Sequence, residues 1–147
     1  MTHRALQAVD AIATALAARA ELGASVFKHR TLSLSDADQE LPAVCVRMGE
    51  DAATNRTLES FESQLDVFVA LYATATTEEA LAEALMELRA QSHIAVMANQ
   101  TLGLSFVSQV IYGGAGEPDV STEGGRIAGL LETTWIVDYE MNVTDPS

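Results

Sequence analysis

Residues 127–143, IAGLLETTWIVDYEMNV, form the longest run of alternating apolar and polar residues in the chain. Successive side chains of a β-strand point to opposite faces, so this alternation is typical of a strand with one buried face. One parity carries the apolar set, which is Ile127, Leu131, Trp135, Val137, Tyr139, Met141 and Val143. The other parity is mostly polar, with Leu130 and Ile136 as exceptions. The pattern predicts a long strand whose odd-numbered face packs in the core, with Trp135 as its largest apolar residue.

Shorter apolar patterns elsewhere predict four further strands. These span residues 26–34, 43–48, 62–74 and 104–112. The segments between them are polar or rich in glycine and predict exposed loops over residues 35–41, 49–61 and 113–126. Because exposed loops are free to contact partners, we expect the loops to carry function and the sheet to carry stability.

Two helices are predicted from apolar residues spaced three and four apart. The first spans residues 3–22, with Thr2 as its N-cap and Gly23 just past its end. It is rich in alanine, which lets another segment approach closely. The second begins after Thr76, which forms a capping box with Glu79, and ends near Asn99.

The order α-β-β-β-α-β-β predicts an α+β fold. We expect a mainly antiparallel mixed sheet of about five strands, with two helices packed on one face. A chain of 147 residues is the length of one domain, so residues 1–147 are expected to form a single domain.

The net charge of −13 argues against a nucleic-acid-binding surface, because phosphate contacts depend on lysine and arginine. The single cysteine, Cys45, cannot form an internal disulfide, which favours a reducing compartment. The N-terminus has no continuous apolar segment typical of a signal peptide. No run of about 18 apolar residues is present, so we expect no contact with a membrane.

No motif in the sequence indicates catalysis or cofactor binding. The histidines His3, His29 and His93 lack the spacing of a metal site. Cys45 lies within a predicted strand and is typical of a small buried hydrophobic residue. The segment Gly113–Gly116 has no following lysine, so it does not match a phosphate-binding loop. We therefore expect neither a cofactor nor a bound metal.

The few arginines are the most informative polar residues. Arginine suits paired contacts with carboxylates, and the chain has 21 acidic residues to offer. Two interpretations stay open: pairing within the chain, or pairing with the acidic segments of a neighbouring copy. The candidate interface residues are Arg30, Arg47, Glu50, Asp51, Arg56, Glu117, Asp119, Glu123 and Arg126.

Taken together, these segments resemble the tail terminator (tail completion) proteins of long-tailed, non-contractile phages. The similarity begins with the alanine-rich helix and the strand that contains Arg30. Leu41–Asp51, LPAVCVRMGED, is similar to a "PAV-x-V, then Gly-Glu-Asp" step of that family. The strand Leu65–Ala73 and the acidic start of the second helix follow. Asn99–Leu104 is similar to a family turn, although its last residue stands where a second glycine is common, and Ile127–Tyr139 resembles the closing strand.

This resemblance implies a structural virion protein that forms a ring, usually a hexamer. The ring would cap the tail tube, stop its polymerisation and provide the surface that joins the head. Its partners would be further copies of itself, the tail tube protein and the head–tail connector protein, with DNA passing the channel without specific binding. It would act in the host cytoplasm during assembly and then lie in the virion, at the tail end near the neck. The alternatives are another head–tail joining (neck) protein, or a small-molecule-binding or enzymatic α+β domain.

Overall fold

The long alternating segment forms the strand on which the sheet is built. The computed structural model describes residues 2–32, 41–123 and 125–147. In it, residues Arg126–Asn142 form one strand, which buries Leu131, Trp135, Val137 and Tyr139. The predicted core face of this strand is therefore confirmed, and both of its ends lie within one residue of the prediction.

The described residues contain six strands in one mixed sheet. In chain order they are β1 (Ser25–Lys28), β2 (Ala43–Arg56), β3 (Ser60–Ala75), β4 (Val107–Ala115), β5 (Asp119–Glu123) and β6 (Arg126–Asn142). The strand order is β1-β2-β3-β6-β4, and β5 also pairs with β6. Among the strands that the structure describes, the β1–β2 pair is parallel and the others are antiparallel. The predicted α+β class with a mainly antiparallel sheet is confirmed.

Two helices pack on one face of this sheet. They are α1 (Arg4–Ala18), which is followed by a short 3₁₀ turn (Ala20–Leu22), and α2 (Glu78–Met97). Ile12 and Leu16 of α1 and Leu85 of α2 share a single apolar cluster with Val67 and Trp135 of the sheet. Within the described residues, neither helix combines the length and the apolar character that crossing a bilayer requires.

The opposite face of the sheet carries a smaller apolar cluster. Its buried members are Leu32, Ala43, Cys45, Ala70 and Tyr72. The hydroxyl of Tyr72 accepts a hydrogen bond from the backbone N–H of Leu32 at 3.3 Å. Leu32, which follows β1, therefore packs on this face of the sheet.

Both helix caps lie one residue later than predicted. The ring nitrogen Nδ1 of His3, not Thr2, accepts the Ala5 N–H at 3.0 Å. Thr77, not Thr76, accepts the Ala80 N–H at 3.1 Å. Two adjacent threonines are equivalent in sequence, and only the path of the chain decides which hydroxyl reaches the helix. The prediction that a glycine ends the first helical segment is confirmed, since Gly23 has a left-handed φ of +61°.

The loop predictions are wrong in two places. Residues 49–56 continue β2 and pair with β3, leaving only a tight turn before Ser60. Residues 113–115 belong to β4, and 119–123 form β5, so the glycine-rich segment is mostly strand. Their polar composition reflects exposure to solvent and not irregular backbone. The expected division between functional loops and a structural sheet does not hold for these residues.

Two further strand boundaries also differ from the prediction. β1 ends at Lys28 because His29 adopts a positive φ of +54°, which stops extended pairing. The rest of the predicted strand through residue 32 is not strand, and residues 33–34 and most of the predicted loop at 35–41 lie outside the described residues. β4 starts at Val107, three residues later than expected, because the preceding residues form a turn.

A glycine sets how closely α2 approaches the sheet. A Cβ atom built on Gly129 of β6 would lie 3.0 Å from side-chain carbons of both Leu81 and Leu85. That separation is shorter than an ordinary van der Waals contact. Gly129 therefore allows the leucines of α2 to rest directly on the backbone of β6.

Trp135→Ala is expected to lower the free energy of unfolding by about 3–5 kcal/mol, because it removes a large buried side chain and leaves a cavity. Trp135 is 1% exposed. Denaturant unfolding of the variant measures the loss. The control is Ile94→Ala on α2, where the side chain is 47% exposed and a change well below 1.5 kcal/mol is expected. Equal unfolding midpoints for the two variants would contradict this description of the core.

Candidate assembly interface

The candidate interface residues fall at two opposite edges of the sheet. Arg30 follows β1, and the β2 strand carries Arg47, Glu50, Asp51 and Arg56. The other group, which is Glu117, Asp119, Glu123 and Arg126, lies along β5 and the ends that flank it. β3 and β6 separate the two groups. The structure therefore forms two separate surfaces from these residues instead of one convergent site.

Arg47 is paired within its own chain. Its Nη2 donates to Oε2 of Glu132 at 2.6 Å, and its guanidinium carbon lies 4.5 Å from the centre of the Phe68 ring. Arg47, Phe68 and Glu132 come from three adjacent strands and meet on the face opposite the helices. Of the two interpretations of the arginines, pairing within the chain is therefore the one that fits the contacts of Arg47. Sequence reasoning did not find Glu132 as its partner, because that depends on strand register.

Arg30 lies beside an aromatic ring at the end of β1. Its guanidinium carbon is 4.6 Å from the centre of the Phe27 ring. Next to it, Lys28 forms an ion pair with Asp10 of α1 at 3.2 Å. A group of basic side chains thus marks this corner of an otherwise acidic chain.

Asp51 has a structural contact that the sequence analysis missed. A bulge in β2 between Met48 and Asp51 changes the register and brings the Asp51 carboxylate toward the buried Tyr139. The Tyr139 hydroxyl donates to Oδ2 of Asp51 at 2.5 Å. The sequence did offer one sign of this contact. Tyr139 was predicted on the core face of β6, and a buried tyrosine hydroxyl usually needs a hydrogen-bond partner.

Gly49 makes this bulge possible. A Cβ atom at Gly49 would lie 2.5 Å from Cε2 of Phe68 and 3.0 Å from the backbone oxygen of Asp66. No side chain fits in that space without moving the neighbouring strand. Gly49 therefore marks the base of a hairpin arm, which we define as residues 49–64, the outer parts of β2 and β3.

The arm ends in an exposed apolar residue. Leu58 lies in the turn between β2 and β3, and 98% of its surface is exposed. Glu50 and Arg56 are also exposed, as are Glu117, Asp119 and Arg126 at the opposite edge. The side chain of Glu123 lies outside the described part of the structure. The exposed members of the set are therefore available for contacts with another molecule.

Small side chains of the alanine-rich helix line a groove. The groove has a volume of about 540 Å³ and lies between the C-terminal halves of α1 and α2. Its walls include Ala11, Ala15 and Ala18 of α1 and Ala95 of α2, with Arg19 at its rim. Nε of Arg19 donates to Oε1 of Gln91 at 2.8 Å, which joins the two helices there.

The three histidines have separate surroundings. His3 caps α1, His29 ends β1, and the ring of His93 lies 5.3 Å from that of Trp135. Among the described residues, no three histidine, cysteine, aspartate or glutamate side chains are grouped in a way that could hold a metal ion.

Comparison with known proteins finds similarity in structure but not in sequence families. No family model matches the sequence, and no curated protein matches it. Among solved structures, the chain is similar to one in the virion of a native gene transfer agent (GTA) particle, with a TM-score of 0.54 and 11% sequence identity. The match covers 90% of this chain and 93% of that chain. At this identity, the similarity establishes that the two proteins share a fold.

Stability should fall at alkaline pH partly through Tyr139. Burial, and after it the hydrogen bond to Asp51, raise the pKa of the Tyr139 hydroxyl above its usual value of 10.0. The folded state therefore keeps its proton when the unfolded chain loses it. The resulting stabilisation is complete below about pH 10 and decreases above it, by about 1.4 kcal/mol per pH unit for one such group.

Tyr139→Phe removes this dependence. Near neutral pH we expect it to lower the free energy of unfolding by about 1.5 kcal/mol, the contribution of one hydrogen bond to a charged group. The gap to the wild type should narrow as the pH rises above about 10. Urea unfolding at several pH values measures both effects, and Ile94→Ala, which keeps every tyrosine, should follow the slope of the wild type. A constant gap between Tyr139→Phe and the wild type would contradict the assignment.

Proposed function

We propose that this chain is a structural virion assembly protein of the tail terminator type. In this proposal, six copies form a ring that caps the tail tube, stops its polymerisation and provides the head-joining surface. Its partners are further copies of itself, the tail tube protein and the head–tail connector protein. It acts in the host cytoplasm during assembly and then lies at the tail end near the neck.

The observation that carries the proposal is the shared fold with a chain of a GTA virion particle over 90% of this sequence. The sequence resemblance to phage tail terminators also points to a virion protein. That resemblance rests on different observations, which include the segments Leu41–Asp51 and Ile127–Tyr139. We accordingly assign the chain a structural role and propose no enzymatic reaction for it.

The distribution of the candidate residues supports a ring. A contact between two different surfaces of the same protein joins copies head to tail, and such contacts form a closed ring when the rotation between copies closes. The two groups of exposed charged residues lie at opposite edges of the sheet, with Arg56 at one and Asp119 and Glu117 at the other. One copy can therefore offer each edge to a different neighbour.

The net charge supports passage of DNA through the ring. A subunit of charge −13 repels phosphate groups, so a channel surrounded by such subunits favours sliding of DNA over binding. We therefore expect no binding to duplex DNA at physiological salt, as measured by mobility shift.

Electron microscopy of the purified protein tests the ring, and the expected images show closed rings with a central channel. Because the subunits repel one another, added salt should screen that repulsion and favour the ring in sedimentation experiments. A protein that sediments as a monomer at every concentration and salt level would contradict the proposal.

Arg56→Ala tests whether exposed charges at the β2 edge hold copies together. Removing one partner of a desolvated interfacial pair costs about 2–5 kcal/mol, so the variant should sediment mainly as smaller species. Arg47→Ala should instead affect mainly the free energy of unfolding, by about 1 kcal/mol or less, because its side chain is 37% exposed and paired within the chain. Glu83→Ala, on the exposed side of α2, is the control. An unchanged ring in Arg56→Ala would show that the Arg56 side chain forms no ion pair that holds the copies together.

The terminator role itself is tested in particles. A virus that lacks this gene should accumulate tails of abnormal length that do not join heads, and the wild-type gene should restore normal particles. Tails of normal length in the absence of the protein would contradict the role and leave the ring to be explained in another way.

A further inference from the structure

Among the described residues, the longest stretches of unpaired strand edge lie on β2 and on β4. β1 pairs only with residues Ala43–Val46 of β2, so the outer side of β2 from Arg47 to Arg56 has no strand beside it among the described residues. At the far side of the sheet, β4 pairs with β6 alone within the same described part. Each of these edges presents a row of N–H and C=O groups that can pair with another strand.

The β4 edge lacks charge and proline, and two irregularities, between Val107 and Gln109 and between Tyr112 and Gly114, interrupt its pairing with β6. Its nine residues, VSQVIYGGA, include no charged side chain and no proline, in a chain in which 20% of residues are charged. Ile111 on this strand is 40% exposed. Proteins usually protect a free edge with charges or proline, because an uncharged edge pairs readily with other strands. The composition of β4 therefore indicates a strand that is covered in the assembled protein.

Ring closure favours the β2 edge as its partner. Pairing of β2 with β2, or of β4 with β4, joins two copies through the same surface and gives a dimer, whereas pairing of β2 with β4 joins two different surfaces and can continue from copy to copy. The outer part of β2 carries Glu50 and Asp51 together with Arg47 and Arg56, and the uncharged β4 strand places no like charge opposite any of them. Pairing of β2 with β4 is therefore the edge contact that suits the proposed ring.

Topology fixes the direction of this pairing. β2, β3, β6 and β4 are successive antiparallel neighbours, so β4 runs antiparallel to β2 within one copy. In a ring whose copies keep their strands aligned, the β4 edge of one copy meets the β2 edge of the next in antiparallel orientation. The sheet then continues from copy to copy.

We propose that the outer edge of β2, residues 49–56, pairs with β4 of the neighbouring copy and so extends the sheet around the ring. This proposal rests on the proposed ring and names the contact that closes it. The exposed Leu58 at the end of the arm then lies next to the neighbouring copy instead of in solvent. Pairing of two β4 edges with each other would give dimers and is a competing outcome of the test.

Disulfide trapping tests the pairing directly. Ala52, Gln64, Asp138 and Gln109 form one cross-strand row on the face opposite the helices, and Ile111 lies on the same face. The test variants combine Ala52→Cys with either Gln109→Cys or Ile111→Cys, in a Cys45→Ser background. Within one copy, three strand spacings of about 4.8 Å separate Ala52 from Gln109, which is too far for a disulfide.

The expected result under mild oxidation is a ladder of covalent oligomers, ending at the size of the ring, from at least one of the two double variants. The matched control combines Ile111→Cys with Ala82→Cys on the exposed side of α2 and should give no ladder. Thermal unfolding shows whether each reduced variant keeps the stability of the Cys45→Ser background.

The other outcomes separate this inference from the proposed function. Rings without a ladder in either double variant would overturn the strand pairing and leave the ring intact. Covalent dimers from Ile111→Cys alone would show pairing of two β4 edges and overturn the proposal. Monomers at all concentrations would overturn the ring and the pairing together.

Discussion

The antiparallel pairing of β3 with β6 is the interaction on which the rest of the structure depends. The two strands pair continuously from Ser60–Asn142 to Ala75–Ile127, through the middle of the sheet. This register places Val67 beside Trp135 and Leu65 beside Val137, which are fully or almost fully buried. β2 and β4 extend the sheet on either side, and both helices cover the apolar face that the pair creates. A shift of one residue would turn every one of these side chains to the opposite face.

The sequence predicted the parts of the fold that follow from periodicity. The alternation of residues 127–143 located β6, its core face and Trp135, and the capping threonines located α2 to within a residue. It failed where a strand is exposed on both faces. Residues 49–56 are almost all exposed, so they show no apolar alternation, and only their hydrogen bonds to β3 make them strand. Local composition cannot reveal pairing that a distant segment provides.

In the candidate interface too, contacts between distant segments could not be predicted from local sequence. The scarcity of arginine drew attention to Arg47, but its pairing with Glu132 depends on the register of three strands. The contact between Asp51 and Tyr139 depends on a bulge that Gly49 permits, and the exposure of Leu58 depends on where the hairpin turns. What the sequence did provide was the set of charged residues, which the fold then divides between two opposite edges. The proposed ring uses this division, because each edge can face a different neighbour.

Hydrogen–deuterium exchange, measured on the dilute and the concentrated protein, tests this account most directly. Backbone N–H groups that pair with a neighbouring copy exchange more slowly once the copies assemble. We predict that backbone N–H groups of residues 49–56 and 107–115 exchange more slowly at high concentration, and that exchange on the exposed side of α2 does not change. Protection confined to the helices, or no concentration dependence at all, would contradict the proposal that copies assemble through the free β2 and β4 edges.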